Sequence, residues 1–156
     1  MRTAIIGLGN PLRGDDGIGP RVIEALNRRG LPPGVQAVEE GAGGLELLEL
    51  LEGQERAVIV DAALVGREAG QFVRFTPEEA RLEEAADRLS FHSAGLAETL
   101  TLARALERPL PPLVIFGVQP ARTDWEEGLS PAVEAALPAL VEAIWREVVE
   151  DVKRET

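Results

Sequence analysis

The pattern of apolar and polar positions divides the chain into alternating short strands and helices. Ala4 to Leu8 is an uninterrupted apolar run centred on Ile5 and Ile6, the pattern of a strand buried on both faces of a parallel sheet. From Ile18 the spacing turns helical, with Val22 and Leu26 following at steps of four. Gly30 to Gly34, with Pro32 and Pro33, breaks that helix, and the alternation from Val35 to Glu39 predicts a second strand. A glycine turn at Glu40–Gly44 leads into a Leu-rich helix over Leu45 to Leu51. Ala57-Val58-Ile59-Val60 predicts a third, buried strand that ends at Asp61.

Gly70 to Phe75 predicts a fourth strand, antiparallel or at an edge. Thr76-Pro77-Glu78-Glu79 is a helix start: Thr as cap, Pro in the first turn and Glu79 closing a capping box, with the helix running to about Leu89. Ser90 to Ser93 is expected to be a loop, followed by a helix from Ala94 to Glu107 and a strand from Leu113 to Gly117. The segment from Val118 to Leu129 is long for a plain connection. Ser130-Pro131 then caps a last helix with Val133, Leu137, Leu140, Ile144 and Val148 on its buried face, a kink expected at Pro138 and fraying from about Asp151. The predicted fold is a three-layer α/β sandwich around a mainly parallel sheet with one antiparallel or edge strand, in a single domain spanning 1–156. Ligands of such sheets gather at the carboxyl ends of the strands. That edge would receive the Gly9–Gly19 loop, the Glu40–Gly44 turn and Asp61, with the loops bearing His92 and Val118–Leu129 beside them.

The first loop is the most distinctive stretch: five glycines and two adjacent aspartates fall between Gly7 and Gly19. It is a poor nucleotide loop. Leu12 occupies the third glycine position of a dinucleotide fingerprint, and the chain's single lysine is Lys153, far from any P-loop position. Asp15 and Asp16 would repel a phosphate and suit a cation. Read on their own, Asp15 is equally a helix cap and Asp16 a partner for the helix's positive end.

A net charge of −11 disfavours nucleic acid and anionic membrane surfaces. With no cysteine there is no disulfide, thiolate metal site or cysteine nucleophile. No apolar run reaches membrane-spanning length, so a cytoplasmic protein is expected, and no exposed apolar stripe demands an oligomer, so a monomer is expected.

His92 is the only histidine, which removes zinc sites of the H-E-x-x-H type and two-histidine iron sites. None of Ser90, Ser93 and Ser130 lies in a nucleophile elbow. What remains is one imidazole with carboxylates. Asp16, Asp61 and His92 would make a half-shell of one nitrogen and two oxygen ligands for a divalent metal such as Zn²⁺ or Ni²⁺, with positions open for substrate or water. Each residue singly also has a local hydrogen-bonding role available to it.

At these residues the sequence resembles the hydrogenase maturation endopeptidases, which trim the C-terminal extension of nickel–iron hydrogenase large subunits. The resemblance runs from Ile5 to about Val148. It rests on Gly7-Leu8-Gly9-Asn10 with Asp15-Asp16-Gly17-Ile18-Gly19, on Gly41–Gly44 before Leu45-Glu46-Leu47-Leu48, and on Val60-Asp61-Ala62. Ser90-x-His92-x-x-Gly95-Leu96 matches as well, as do Gly117-Val118-Gln119-Pro120 and Gly128-Leu129-Ser130-Pro131-x-Val133. It implies that Asp16, Asp61 and His92 are the metal-binding and catalytic residues and that nickel is supplied by the substrate. It also implies no organic cofactor, and a nickel–iron hydrogenase large-subunit precursor as partner. Glu39-Glu40 stands where some members carry an Asp.

Two other readings use the same residues. A non-cleaving module that inspects the metal of a precursor would need the same triad. The opening Gly7-Leu8-Gly9-Asn10-Pro11 also echoes peptidyl-tRNA hydrolases, but Asp15-Asp16-Gly17-Ile18-Gly19 follows where those enzymes carry a histidine. Trp125, among Asp124, Glu126 and Glu127, is either an anchor for a protein partner or folded back on the domain.

Overall fold

The computed structural model describes the backbone of residues 2–41, 43–91 and 94–154, with side chains throughout except at 91, 94 and 151–154. The strands are β1 (Thr3–Leu8), β2 (Val35–Glu40), β3 (Arg56–Leu64), β4 (Phe72–Phe75), β5 (Ser90–Phe91) and β6 (Leu113–Val118). The helices are α1 (Ile18–Arg29), α2 (Gly44–Glu52), α3 (Pro77–Ala85), α4 (Ala94–Ala105) and α5 (Pro131–Arg154). The main sheet has the order β2-β1-β3-β6-β4. The first four strands are mutually parallel, and β4 runs antiparallel to β6 at the edge.

Successive side chains of a strand point to opposite faces, so the apolar run of β1 feeds two cores. Ala4, Ile6 and Leu8 join Ile59, Ile115, Leu47, Leu51 and Leu96 beneath α2, α3 and α4. Ile5 joins Val58, Val60 and Phe116 against Ile18, Val22 and Leu26 of α1 and Val133, Leu140, Ile144 and Val148 of α5. This is the expected sandwich, with helices on both faces. Leu137 is only partly buried on the α5 stripe, and Pro138 lies within a helix that runs on to Arg154, past the expected fraying point.

Several boundaries differ from expectation. α3 stops at Ala85, not Leu89, and α4 at Ala105, not Glu107. Both ends are Schellman motifs. Asp87 N–H donates to Glu84 O and Arg88 N–H to Glu83 O; Glu107 N–H donates to Arg104 O and Arg108 N–H to Ala103 O. The left-handed residues are Asp87 (φ 58°) and Glu107 (φ 53°). Neither is the glycine that usually signals such a stop, so the sequence carries no visible mark there. Ser90–Phe91, expected as loop, is a short strand pairing antiparallel with Leu64 and Ala63. β3 therefore continues three residues beyond Asp61 instead of ending on it. The capping box of α3 is present: Thr76 accepts from Glu79 N–H at 3.2 Å, and Glu79 accepts from Thr76 N–H at 3.0 Å.

The glycines of the first loop permit backbone-to-backbone packing. α1 lies directly on β1 at Gly7 and Gly19: a Cβ on Gly19 would stand 2.2 Å from Leu8 O, and one on Gly7 2.5 Å from Gly19 O. Between β1 and α1 the chain makes a single 3₁₀ turn, Gly14–Gly17.

The segment 119–130 folds across that turn and is held by one side chain. The buried Asp15 accepts Ser130 N–H on Oδ1 at 2.7 Å. Its Oδ2 accepts Ala121 N–H at 2.8 Å, Arg122 N–H at 3.0 Å and the Ser130 hydroxyl at 2.8 Å. Backbone bonds from Asp15 N–H to Arg122 O (2.8 Å) and Gly14 N–H to Glu126 O (2.7 Å) complete the seam. Asp15 is therefore not the cap of α1, which has no side-chain cap. Burial by itself would raise the Asp15 carboxyl, but the bonds from Ser130, Arg122 and Ala121 outweigh it and hold the group below its ordinary value.

Two stability outcomes follow. Gly19→Ala forces α1 off β1, with an expected loss of about 1–3 kcal/mol in chemical denaturation. Asp15→Asn turns an amide N–H₂ toward a donor and strands at least one buried N–H, at a cost of about 1–3 kcal/mol near neutral pH. Because the folded carboxyl is depressed, its stabilisation is present above the unfolded value near pH 4 and is lost as pH falls through the lower folded value. The gap between wild type and Asp15→Asn should thus narrow on acidification below about pH 4, read from urea midpoints across pH.

Candidate functional site at the carboxyl edge of the sheet

The carboxyl ends of β2, β1, β3 and β6 meet at one edge, as parallel pairing requires. Asp16 reaches it from the 3₁₀ turn and is almost wholly buried. Gly9 makes room for it: the chain passes over Asp16 with Gly9 at φ 115°, and a Cβ there would lie 2.0 Å from Asp16 O. Asn10 N–H donates to Asp16 Oδ2 at 2.8 Å, and Asn10 Oδ1 accepts Leu12 N–H at 2.9 Å, a local turn that fixes the donor. Asp16 Oδ1 is buried and has no hydrogen-bond partner among the described residues.

Asp61 is fully buried. It lies in β3 one residue beyond the last β1–β3 pair, Gly7 with Val60, and opposite Gly117 of β6. The turn bearing Asp16 packs against β3. The structure thus brings the Asp16 and Asp61 segments to one buried edge from separate elements. A buried carboxylate oxygen is costly unless something positive or proton-donating faces it, and Asp16 Oδ1 is such an oxygen.

His92 lies outside the described residues, as does Ser93. The flanking backbone is placed: Phe91 pairs with Ala63, two residues beyond Asp61, and α4 begins at Ala94. The second glycine turn meets the start of α4. A Cβ on Gly43 would lie 2.6 Å from Gly95 backbone, and the buried Thr99 hydroxyl lies 2.7 Å from Gly95 O and 3.2 Å from Gly44 O. Glu39 and Glu40 end β2 beside Gly7 and Leu8 of β1, at the same edge.

Two positioning residues escaped the reading of the sequence. Asp15 carries the seam to the 119–130 segment. Gln119 accepts Val65 N–H on Oε1 at 2.8 Å, tying the end of β6 to the end of β3. The visible signal was that both Gln119-Pro120 and Ser130-Pro131 belong to the matched segments, though neither suggests a bond to a residue 54 positions away, as from Gln119 to Val65, or 115 away, as from Ser130 to Asp15. Trp125 does not fold back on the domain: it is 72% exposed, with the Arg13 guanidinium 4.8 Å from the ring centre.

Comparison with known proteins bears on the fold and the family. The sequence profile described as hydrogenase maturation protease matches residues 20–147. The hydrogenase 2 maturation protease of Escherichia coli (strain K12) is 33% identical, with 97% of this chain and 100% of that protein covered. The hydrogenase expression/formation protein HupD of Bradyrhizobium diazoefficiens is 34% identical, with 85% of this chain and 70% of that protein covered. Among solved structures, the hydrogenase maturating endopeptidase HybD from E. coli superposes with a TM-score of 0.80 at 31% identity, covering 97% of this chain and 94% of that one. The [NiFe] hydrogenase maturation protease HybD from Thermococcus kodakarensis gives 0.76 at 29%, covering 92% and 97%. With the sheet, the glycine loop and the profile match in agreement, the chain belongs to the hydrogenase maturation protease family.

Proposed function

We propose that this protein removes the C-terminal extension of a nickel–iron hydrogenase large-subunit precursor after nickel has been inserted, with Asp16, Asp61 and His92 gripping the substrate's metal. The observation that carries the reading is the pair of buried carboxylates at the sheet edge, one of which, Asp16, keeps Oδ1 uncommitted while Asn10 N–H occupies Oδ2. Nickel is here part of the substrate, and no organic cofactor is required.

The residues divide the work by position. Asn10 and Gly9 fix the Asp16 carboxylate, so that Oδ1 faces the site as a ligand or as an acceptor of a proton from water. Asp61 adds a second carboxylate from a rigid central strand, which holds the geometry better than a loop would. His92 supplies the nitrogen ligand. The substrate's metal, once held, orients the scissile peptide bond and polarises its carbonyl. Water adds to that carbonyl carbon, a carboxylate takes its proton, the C–N bond breaks and the departing amine is protonated. Three ligands without a fourth also predict weak affinity for free metal.

Incubation with the nickel-loaded precursor from the same organism should give a discrete loss of the C-terminal peptide by intact-mass analysis. The nickel-free precursor, and the His92→Ala protein with loaded precursor, should give none. Asp16→Asn and Asp61→Asn should each slow cleavage by at least about 100-fold while the proteins remain folded. Uncut, loaded precursor that still binds the wild-type protein would instead make it a metal-inspection module.

A further inference from the structure

The exposed large apolar side chains are not scattered evenly. Among the described residues they are Leu12, Leu45, Leu64, Leu82, Leu106 and Trp125. Four of them sit where the chain leaves a parallel strand at its carboxyl end. Leu12 follows β1, Leu45 follows β2, Leu64 closes β3, and Trp125 lies in the segment after β6. Each of the four parallel strands thus contributes one apolar side chain to the rim of the edge that buries Asp16 and Asp61. Leu82 and Leu106 lie elsewhere, on α3 and just after α4.

Position alone does not require this. Loops of this kind are ordinarily polar, and an exposed Trp in a chain with only two is costly to leave in water without a purpose. The rim is also held firm. Leu12 N–H is fixed by Asn10, Arg13 stacks on Trp125, and the Trp125 segment is clamped on both sides by Asp15. A pre-ordered aromatic loses little entropy on contact, which is the condition for a strong anchor. The side chains flanking it in sequence are acidic: Asp124, Glu126 and Glu127 are exposed beside Trp125, against Arg13 over the ring and Arg122 paired with Glu126, and Glu46 follows Leu45.

We infer that Leu12, Leu45, Leu64 and Trp125 form the docking rim for the body of the precursor, contacting an apolar patch framed by Lys and Arg on the surface around the segment to be cut. This deepens the proposed function and rests on it. Trp125 is the central anchor, and the acidic residues beside it steer the basic frame into place. The rim sets affinity and choice of partner; the buried carboxylates set the chemistry.

Steady-state cleavage of the nickel-loaded precursor separates the two. Trp125→Ala should raise KM at least about tenfold with kcat within twofold, and Leu12→Ser with Trp125→Ala should raise it further. Leu82→Ser and Leu106→Ser, equally exposed but off the rim, should leave both constants within twofold. KM for the wild type should rise with added salt. Rim variants that behave like the two off-rim controls overturn the proposal. If the wild type leaves the precursor uncut, the cleavage reading falls, and the rim is judged by affinity for the same precursor with the same tenfold criterion. Sedimentation showing a wild-type dimer that Trp125→Ala dissolves also overturns it, since a second copy would then occupy the rim.

Discussion

The site depends on a carboxylate whose two oxygens are both taken up in holding a loop. Asp15, itself buried, gathers three backbone N–H groups and one hydroxyl onto two oxygens; the two bonds from Ser130 are buried and those from Ala121 and Arg122 partly so. Without it the buried Ser130 N–H would be left unsatisfied, so the carboxylate and the 119–130 segment require one another. Since Asp15 and Asp16 are adjacent in a single 3₁₀ turn, the same constraint that pins the loop also sets where Asp16 points.

The second constraint is close backbone packing. The Gly7–Gly19 contact seats α1 on β1, and Gly9 lets the loop pass over Asp16. The repeated glycines are therefore used to bring main chain against main chain around a carboxylate, and not to cradle a phosphate. Thr99 and the Gly43–Gly95 contact serve the same end on the opposite face, joining the start of α2 to the start of α4.

Most of the fold was legible because its signals are local. The apolar run of β1, the capping box at Thr76 and the stripe on α5 each report structure within a few residues. The helix ends at Asp87 and Glu107 were not legible, because a Schellman stop without glycine looks like continuing helix. The two-residue strand β5 was not legible either, since Ser90–Phe91 pairs only because β3 overruns Asp61. At the site, Asp16 and Asp61 could be picked out as carboxylates at one sheet edge. The bonding of Asp15 was not legible, because its partners, Ala121, Arg122 and Ser130, are distant in the chain. A side chain that satisfies remote backbone leaves no periodic trace.

The clamp on the 119–130 segment also divides it into fixed ends and a replaceable middle. Ala121, Arg122 and Ser130 are bound to Asp15, whereas Asp124, Trp125 and Glu127 project outward. The outward side chains at 124, 125 and 127 behave as a cassette, while the Glu126 carbonyl receives Gly14 N–H and Leu129 packs on the core. Those three side chains can change without disturbing the sheet, provided that the backbone seam and the aspartate and the serine at its foot are kept. A fold arranged in this way can acquire a new partner by rewriting three side chains while the buried carboxylates stay where they are.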